Sequence, residues 1–301
     1  MCSKKYNNVE RFIRDIKHAN VNIIQLSKFA KAATLTSANI KDISIQEISF
    51  DCTVEHKGQV DEDRYLFKLQ KKINKGVHNG VTTISNSLIL SLPGQEYTAS
   101  SVDEYTSITI SIPKEIIQEW FGELQAGVFS FENTFFIERF ISIINKILIL
   151  KLNNEFHQEY VYNLILYKVG KLLSKIQKFD KKNKGYQKFD NISSFIKTNQ
   201  EQDLSIKEIA DNFNITDRTL RNIFMKEIGL SPKQYQTAIK MNILKKEIIN
   251  NPRSFISKII NSSGMQYQSL LSKNFKELFG CTPKEYQNLF LDETLADSEA
   301  S

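Results

Sequence analysis

The sequence predicts an α+β protein: a β-rich domain with flanking helices, followed by an all-α domain of two helix-turn-helix units. Three observations predict this. Over residues 1–115 apolar residues recur at period two between turn signals, the mark of half-buried strands. From Pro113 onward the apolar spacing becomes helical. Near the C-terminus one stretch occurs twice: Ile228-Gly229-Leu230-Ser231-Pro232-Lys233-Gln234-Tyr235-Gln236 returns as Phe279-Gly280-Cys281-Thr282-Pro283-Lys284-Glu285-Tyr286-Gln287. Gly229 and Gly280, Pro232 and Pro283, and Tyr235 and Tyr286 each lie 51 positions apart, as do Leu220 and Leu271, and Phe224 and Phe275. One supersecondary unit is therefore used twice.

The strands come first. Ile43/Ile45 and then Ile48/Phe50/Cys52/Val54 alternate with polar neighbours. The phase slips at Gln46-Glu47, which predicts a bulge or short break. Tyr65/Phe67/Leu69, Leu88/Leu90/Leu92 and Ile108/Ile110/Ile112 continue the pattern, with turns expected at Lys57-Gly58, Asn74-Lys75-Gly76, Asn79-Gly80 and Pro93-Gly94. Several short strands with regular turns favour a barrel or sandwich over residues 1–120. Residues 121–178 read as helical. There the stripe Phe136, Phe140, Ile144, Ile147, Leu148 suits either a dimer seam or packing on the chain's own β domain. Residues 179–185, charged and ending in Gly185, read as an interdomain linker. The acidic tail 291–301 reads as disordered.

Residues 186–290 hold the repeated unit. A first helix over Tyr186–Asn199 turns Phe189, Ile192, Phe195 and Ile196 inward. Ser205 with Glu208 makes a capping box for the second, whose buried stripe is Ile206, Ile209, Ala210 and Phe213. Asn214 suits a left-handed turn, Thr216 caps the third helix, and Gly229 ends it. Ser231-Pro232 with Gln234 opens a long helix that Asn250-Asn251-Pro252 closes. The second unit places Phe255, Ile256, Ile259 and Ile260 on one helix, Gly264-Met265 at the turn, and Leu271 and Phe275 in the core of the next. Thr282-Pro283 with Glu285 starts a final helix. In each unit one helix keeps a polar outer face: Arg218, Thr219, Arg221 and Asn222 in the first, Gln268, Ser269, Ser272 and Lys273 in the second.

Bulk properties exclude several classes. The net charge of +6 is mild, and 41% hydrophobic with 25% charged residues is ordinary for a globular chain. Cys2, Cys52 and Cys281 form neither a disulfide framework nor a zinc spacing, so a reducing cytoplasm is expected. Met1 to Arg14 is too polar for a signal peptide. The apolar run around Ile141–Leu152 is too short and too polar to cross a bilayer, so no membrane partner is expected. His18, His56, His78 and His157 are scattered. A metal-binding cupin-like barrel needs a close His-x-His pair with a carboxylate, and Glu55-His56-Lys57 lacks one, so no metal and no cofactor is expected. Asp61-Glu62-Asp63 reads as a solvated loop. No nucleophile elbow, phosphate loop or dinucleotide fingerprint is present, so no catalytic residue is assigned. Phe50, Tyr65, Phe67, Tyr97 and Tyr105 are candidates for an apolar effector pocket, with core packing as the alternative for each.

Two polar-faced helices on one rigid spacer match successive major grooves, which recur every ~34 Å. Arg218 and Arg221 suit guanine edges, and Asn222 and Gln268 suit adenine. Thr219, Ser269 and Ser272 complete the candidate base-reading set. Lys258 and Lys273 are candidate phosphate contacts. About 15 Lys/Arg against about 10 Asp/Glu over residues 186–290 give that segment a modest basic excess.

Ile206-Lys207-Glu208-Ile209-Ala210, Thr219-Leu220-Arg221-Asn222-Ile223-Phe224, Ile228-Gly229-Leu230-Ser231-Pro232 and Phe275-Lys276-Glu277-Leu278-Phe279-Gly280-Cys281-Thr282-Pro283-Lys284-Glu285-Tyr286 resemble the AraC/XylS family of bacterial transcription regulators, in order and spacing. The second unit departs from that pattern at Ile260, Met265 and Leu270, so weaker reading or backbone holding is expected of it. Upstream, Ser91-Leu92-Pro93-Gly94-Gln95-Glu96-Tyr97 followed by Ile108–Pro113 resembles the β-rich regulatory domain of the XylS-like branch. The resemblance implies a sequence-specific regulator of double-stranded promoter DNA. It also implies a first domain that binds a small-molecule effector or a partner, a homodimer, and RNA polymerase as a further partner. The rival reading is a ligand-binding or enzymatic β-barrel whose helical half is structural.

Overall fold

The computed structural model describes residues 2–291 apart from 7–8, 30–31, 132, 151–153, 179–182, 201, 203, 263–267 and 290. The expected linker core, the Gly264-Met265 turn and the acidic tail beyond residue 291 lie outside the described residues. The chain divides into two compact units. One comprises Met1–Ile23 and Phe29–Lys184; the other joins Ile24–Lys28 to the chain from Gly185 onward.

The first unit is an antiparallel sheet with both faces covered. Its elements are β1 (Cys2–Tyr6), α1 (Val9–Arg14), β2 (Ala19–Gln25), β3 (Ala33–Ile40), β4 (Ile43–Phe50), β5 (Val54–Val60), β6 (Arg64–His78), β7 (Val81–Thr83), β8 (Leu88–Ser91), β9 (Glu96–Pro113), α2 (Lys114–Phe121), β10 (Gly127–Phe131), α3 (Phe135–Ile149), α4 (Glu155–Leu173) and β11 (Ile176–Lys178). The strand path is β1-β3-β4-β9-β6-β8-β10-β11, with β5 also on β9, β2 on β5 and β7 on β6. Among the described residues this path keeps two ends and does not close into a ring.

Period two sets the two faces. Ile43, Ile45, Tyr65, Phe67, Leu69, Ile108, Ile110 and Ile112 form one face and pack on the α3–α4 hairpin through Phe140, Ile144, Ile147, Leu148, Ile165 and Val169. Ile48, Phe50 and Tyr105 belong to the other face, covered by Tyr6, by Val9 and Phe12 of α1, and by Ile23 of β2. Each such aliphatic or aromatic burial stabilises by roughly 1.5–3 kcal/mol.

Four sequence expectations are corrected here. The phase slip at Gln46-Glu47 is not a bulge. Strand β4 keeps unbroken register with β3 and β9, and the slip marks where its covered face changes from the helices to α1 and β2. Asn74-Lys75-Gly76 is not a turn. Strand β6 runs through it, and its register on β9 shifts between Gln70 and Lys72 and between Ile73 and Lys75. Lys57-Gly58 lies inside β5, where Gly58 serves a close approach instead of a turn. Residues 121–178 are not helical throughout, since β10 and β11 extend the sheet from β8; with strands before and after it, the hairpin is laid back across the sheet. The turns at Asn79-Gly80 (φ 47° and 76°) and at Pro93-Gly94 form as expected. The stripe of α3 is core packing: Phe140, Ile144, Ile147 and Leu148 are buried, and Phe136 is exposed.

The second unit contains α5 (Lys184–Thr198), α6 (Ile206–Asn212), α7 (Asp217–Ile228), α8 (Pro232–Asn250), α9 (Ile256–Ser262), α10 (Gln268–Phe279) and a last helix over 283–289. Among the described residues no helix is long and apolar enough to cross a membrane.

Gly58 yields a stability prediction. A Cβ there would lie 2.5 Å from Tyr97 Oη and 2.6 Å from its Cζ, so the Tyr97 ring rests against bare backbone. Gly58→Ala must push that ring away, and urea denaturation is expected to register a loss of about 1–3 kcal/mol. An unchanged midpoint would show that the ring can move freely.

Candidate nucleic-acid interface

The repeat is visible as geometry. In the first helix-turn-helix, Phe224 of α7 meets Tyr235 of α8 edge to face, with ring centroids 5.3 Å apart, and Phe189 of α5 closes the cluster at 5.0 and 5.8 Å. In the second, Phe275 of α10 meets Tyr286 at 5.6 Å in the same arrangement. Gln236 Nε2 donates to the Leu204 carbonyl at 2.9 Å, and Gln287 Nε2 donates to the Ser254 carbonyl at 2.6 Å. These two glutamines end the duplicated stretch, so their pairing was readable from it; that each ties down the backbone just before an incoming helix was not.

Local caps place the helices. Glu208 N–H donates to Ser205 Oγ at 3.2 Å while Ser205 N–H donates to the Glu208 carboxylate at 2.7 Å. Those bonds hold the Glu208 carboxyl below its ordinary range. Ser231 with Gln234 and Thr282 with Glu285 repeat the box. Thr219 N–H donates to Thr216 Oγ1 at 3.1 Å, opening α7. Asn214 (φ 51°) makes the turn before it and Gly229 (φ 71°) ends it, both left-handed.

With Leu220, Phe224 and Ile228 buried, α7 turns Arg218, Arg221, Asn222 and Met225 outward on one face. Sequence reasoning missed Met225, the fourth member at helical spacing. Neither Arg218 nor Arg221 has an ion-pair partner among the described residues. On α10 the corresponding positions hold Ser269, Ser272, Lys273 and Lys276. Ser269, Lys273 and Lys276 are exposed and Ser272 is half-buried; Lys273 lies 3.9 Å from Glu277. Gln268 opens α10, but its side chain lies outside the described residues. Lys258 is exposed in the first turn of α9. Leu270, in the place of Thr219, is 56% exposed.

Helix α8 is the common support. It packs against α7, α9 and α10, and its 19 residues span about 28 Å. A strap from near the N-terminus, Ile24–Lys28, is part of this unit. Gln25 N–H donates to Asn242 Oδ1 at 3.2 Å, Asn242 Nδ2 donates to the Gln25 carbonyl at 2.7 Å, and Gln25 Nε2 donates to the Leu278 carbonyl at 3.0 Å. The strap is thereby fixed to both α8 and α10.

The first unit contains a small apolar-walled cavity of ≈ 50 Å³ that opens to solvent. Phe50, Tyr97 and Tyr105 line it, as the sequence suggested. Tyr65 and Phe67 do not: alternation along β6 puts them on the opposite face, buried under α3 and α4. The missed residues are His56 and Lys68, the latter on the inward-facing alternate of β6. His56 and His78 flank the Tyr97 ring at 5.8 and 5.4 Å. Burial, reinforced by Lys68, pushes His56 well below its ordinary range and His78 down to about 3.

Two predictions follow from this geometry. Arg221→Ala is expected to weaken binding to a specific DNA site by about 1–3 kcal/mol and relax base choice at one position, whereas Lys258→Ala should weaken specific and random DNA alike. Fluorescence anisotropy on both DNAs distinguishes the two, and equal losses for Arg221→Ala would reassign it to phosphate. The second concerns pH. His78 stays neutral in the fold, while the unfolded chain takes up its proton near pH 6.5. Its contribution is therefore complete above pH 6.5 and lost as pH falls toward 3. Near pH 5 this amounts to about 2 kcal/mol. Denaturation from pH 7 to 5 should show a shallower decline in His78→Gln than in the parent chain; parallel curves would mean that His78 protonates in the fold.

Residues 209–289 match a family model described as a helix-turn-helix domain. Over 96 residues the chain is 34% identical to the lactose operon transcription activator of Staphylococcus xylosus, covering 32% of this chain and 34% of that protein. Over 115 residues it is 28% identical to the Msm operon regulatory protein of Streptococcus mutans, covering 38% and 40%. The chain thus spans little more than a third of the length of these curated relatives. Among solved structures, the AraC-like transcriptional activator CuxR aligns over 81% of this chain and 94% of its own at 15% identity, with a TM-score of 0.46.

Proposed function

We propose that this chain, a member of the AraC/XylS family by its C-terminal domain, is a sequence-specific DNA-binding transcription regulator. In this reading α7 and α10 enter adjacent major grooves, and the N-terminal domain adjusts their grip through a bound effector. The observation that carries it is the duplicated unit: two helices with the same inner contacts, polar outer faces and one common rod. Arg218, Arg221 and Asn222 read bases, with Thr219 beside them. Ser269, Ser272 and Gln268 add weaker readout, and Lys258 and Lys273 hold phosphate. The match over residues 209–289 supports the regulator over the rival of an enzymatic or ligand-binding barrel with a structural helical half. Action on a bacterial chromosome places the protein in the cytoplasm.

The route from effector to DNA is a single strand. Val21 and Ile23 of β2 line the cavity, and the next residues are the strap that Gln25 fixes to α8 and α10. A ligand that prefers one position of β2 therefore changes the free energy of the reader, which is what effector control requires.

Footprinting on a selected DNA site tests this reading. Protection of about two helical turns is expected for one chain, and about four for a homodimer. Inserting about five base pairs between the two contacted half-sites turns one groove to the far side of the duplex. Loss of most of the specific affinity is expected, and undiminished binding would show that only one unit engages. Run-off transcription by RNA polymerase should change when the protein is added; an unchanged transcript would leave a DNA binder without a regulatory role.

A further inference from the structure

We infer that Met225 selects a thymine, its thioether covering the C5-methyl group of one base in the site that α7 recognises. The inference rests on the reading of α7 as a base-reading helix, and it adds a residue to that face and names the base it favours.

Helical geometry puts Met225 in the middle of the reading face. Successive residues turn by about 100°. Measured from Arg218, Asn222 lies about 40° to one side, Arg221 about 60° to the other, and Met225 between them at about 20°. All four side chains are exposed. Leu220, Phe224 and Glu227 occupy the opposite, buried side. A base edge that meets Arg221 and Asn222 therefore leads directly to Met225, one turn farther along the helix. Thr219, which also carries a methyl group, is turned about 100° from Arg218. Its hydroxyl shares a 2.9 Å hydrogen bond with that of Thr216 at the cap.

Met225 is 54% exposed, whereas Met241 of α8 is 4% exposed. A single apolar side chain on a surface is ordinary. This one is flanked on both sides by groups suited to base edges, so whatever covers them covers it too.

The groove offers it one apolar partner. Major-groove base edges present donors and acceptors, and thymine adds a methyl group. A thioether has no donor for phosphate, but it is flexible and polarisable and can settle on a methyl group. Met225 lies four residues beyond Arg221, about 6 Å along the helix axis, or about two base-pair rises. The thymine therefore falls about two base pairs from the pair that Arg221 contacts. In the second unit the equivalent position, 51 residues on, holds the exposed Lys276. An ammonium there suits phosphate instead. At this position methyl readout belongs to the first unit.

Deoxyuridine, which is thymidine without that methyl group, tests the inference. Each thymine in the half-site that Arg221→Ala disturbs is replaced in turn, and anisotropy with the full chain measures affinity. One replacement, about two base pairs from the Arg221 position, is expected to weaken binding about 3- to 10-fold. Met225→Ala should weaken binding to the thymine site by a similar factor and make thymine and uracil equivalent there. Met225→Lys should also erase the difference while steepening the salt dependence of binding. If no single thymine responds, or if the response survives in Met225→Ala, the assignment is overturned while the regulator reading stands. Unchanged DNA affinity of Met225→Ala with reduced run-off transcription would overturn it as well, by assigning Met225 to a protein contact. A parent chain that binds selected and random DNA equally overturns the base-reading role of α7 itself, and this assignment with it.

Discussion

One edge-to-face contact between two rings fixes each reading helix. Phe224 against Tyr235 sets α7 on the start of α8, and Phe275 against Tyr286 sets α10 on the helix that follows it. Such a pair adds about 0.5–1.5 kcal/mol beyond burial, but its geometric effect matters more. A ring edge seated on a ring face defines a crossing angle that two leucines would leave loose. The glutamine after each tyrosine then binds the carbonyl that precedes the incoming helix, so chain entry, reading helix and exit are fixed together. Helix α8 belongs to both arrangements, with Tyr235 at one end and Leu244 and Ile248 buried toward the other. Helix α8 thus joins the packing behind the two outer faces.

Equal geometry does not mean equal chemistry. The face Arg218, Arg221, Asn222, Met225 becomes Ser269, Ser272, Lys273, Lys276 in the second unit. Forked guanidinium and amide groups match base edges at two points, whereas an ammonium is a point charge suited to phosphate. The inner surface differs too. Buried Ala210 is matched by buried Ile260, and Leu271 stands one residue farther from Ile259 than Leu220 stands from Ile209. The second unit thus carries a bulkier inner residue and one more residue between its core positions. On the proposed reading the two halves divide the work, the first selecting sequence and the second contributing grip.

The helical half was almost wholly legible in the sequence, because its signals are local. Ser205, Thr216, Ser231 and Gly229 act within four residues of themselves, and the duplicated stretch marks equivalent core positions directly. The sheet was legible only in its alternation. Nothing local distinguishes a strand whose covered face changes midway, as in β4, from one with a bulge. Nothing local shows that Gly58 accommodates Tyr97 from another strand instead of turning the chain. The pocket failed for the same reason. Tyr65 and Phe67 are as aromatic as Phe50, and which side of the sheet they face depends on the register of β6 with β9. Lys68 was overlooked because a lysine within a strand is ordinarily solvated; only the cover over its face makes it informative.

That cover explains why a cavity exists on one face and not the other. The α3–α4 hairpin lays two long helices of isoleucine, leucine and phenylalanine across its face, and the packing there is continuous. The opposite face receives the six-residue α1 and the strand β2, which cannot fill the same area. The remaining space lies beneath β2, which pairs with β5 among the described strands and continues into the strap on α8 and α10. A well-packed face transmits nothing because it has one arrangement. On the proposed reading, an incompletely filled face under a single strand would have room for two, with the contents of the space deciding between them. In the effector reading proposed above, this thin cover is therefore the part of the fold through which a bound molecule would act on the reading helices.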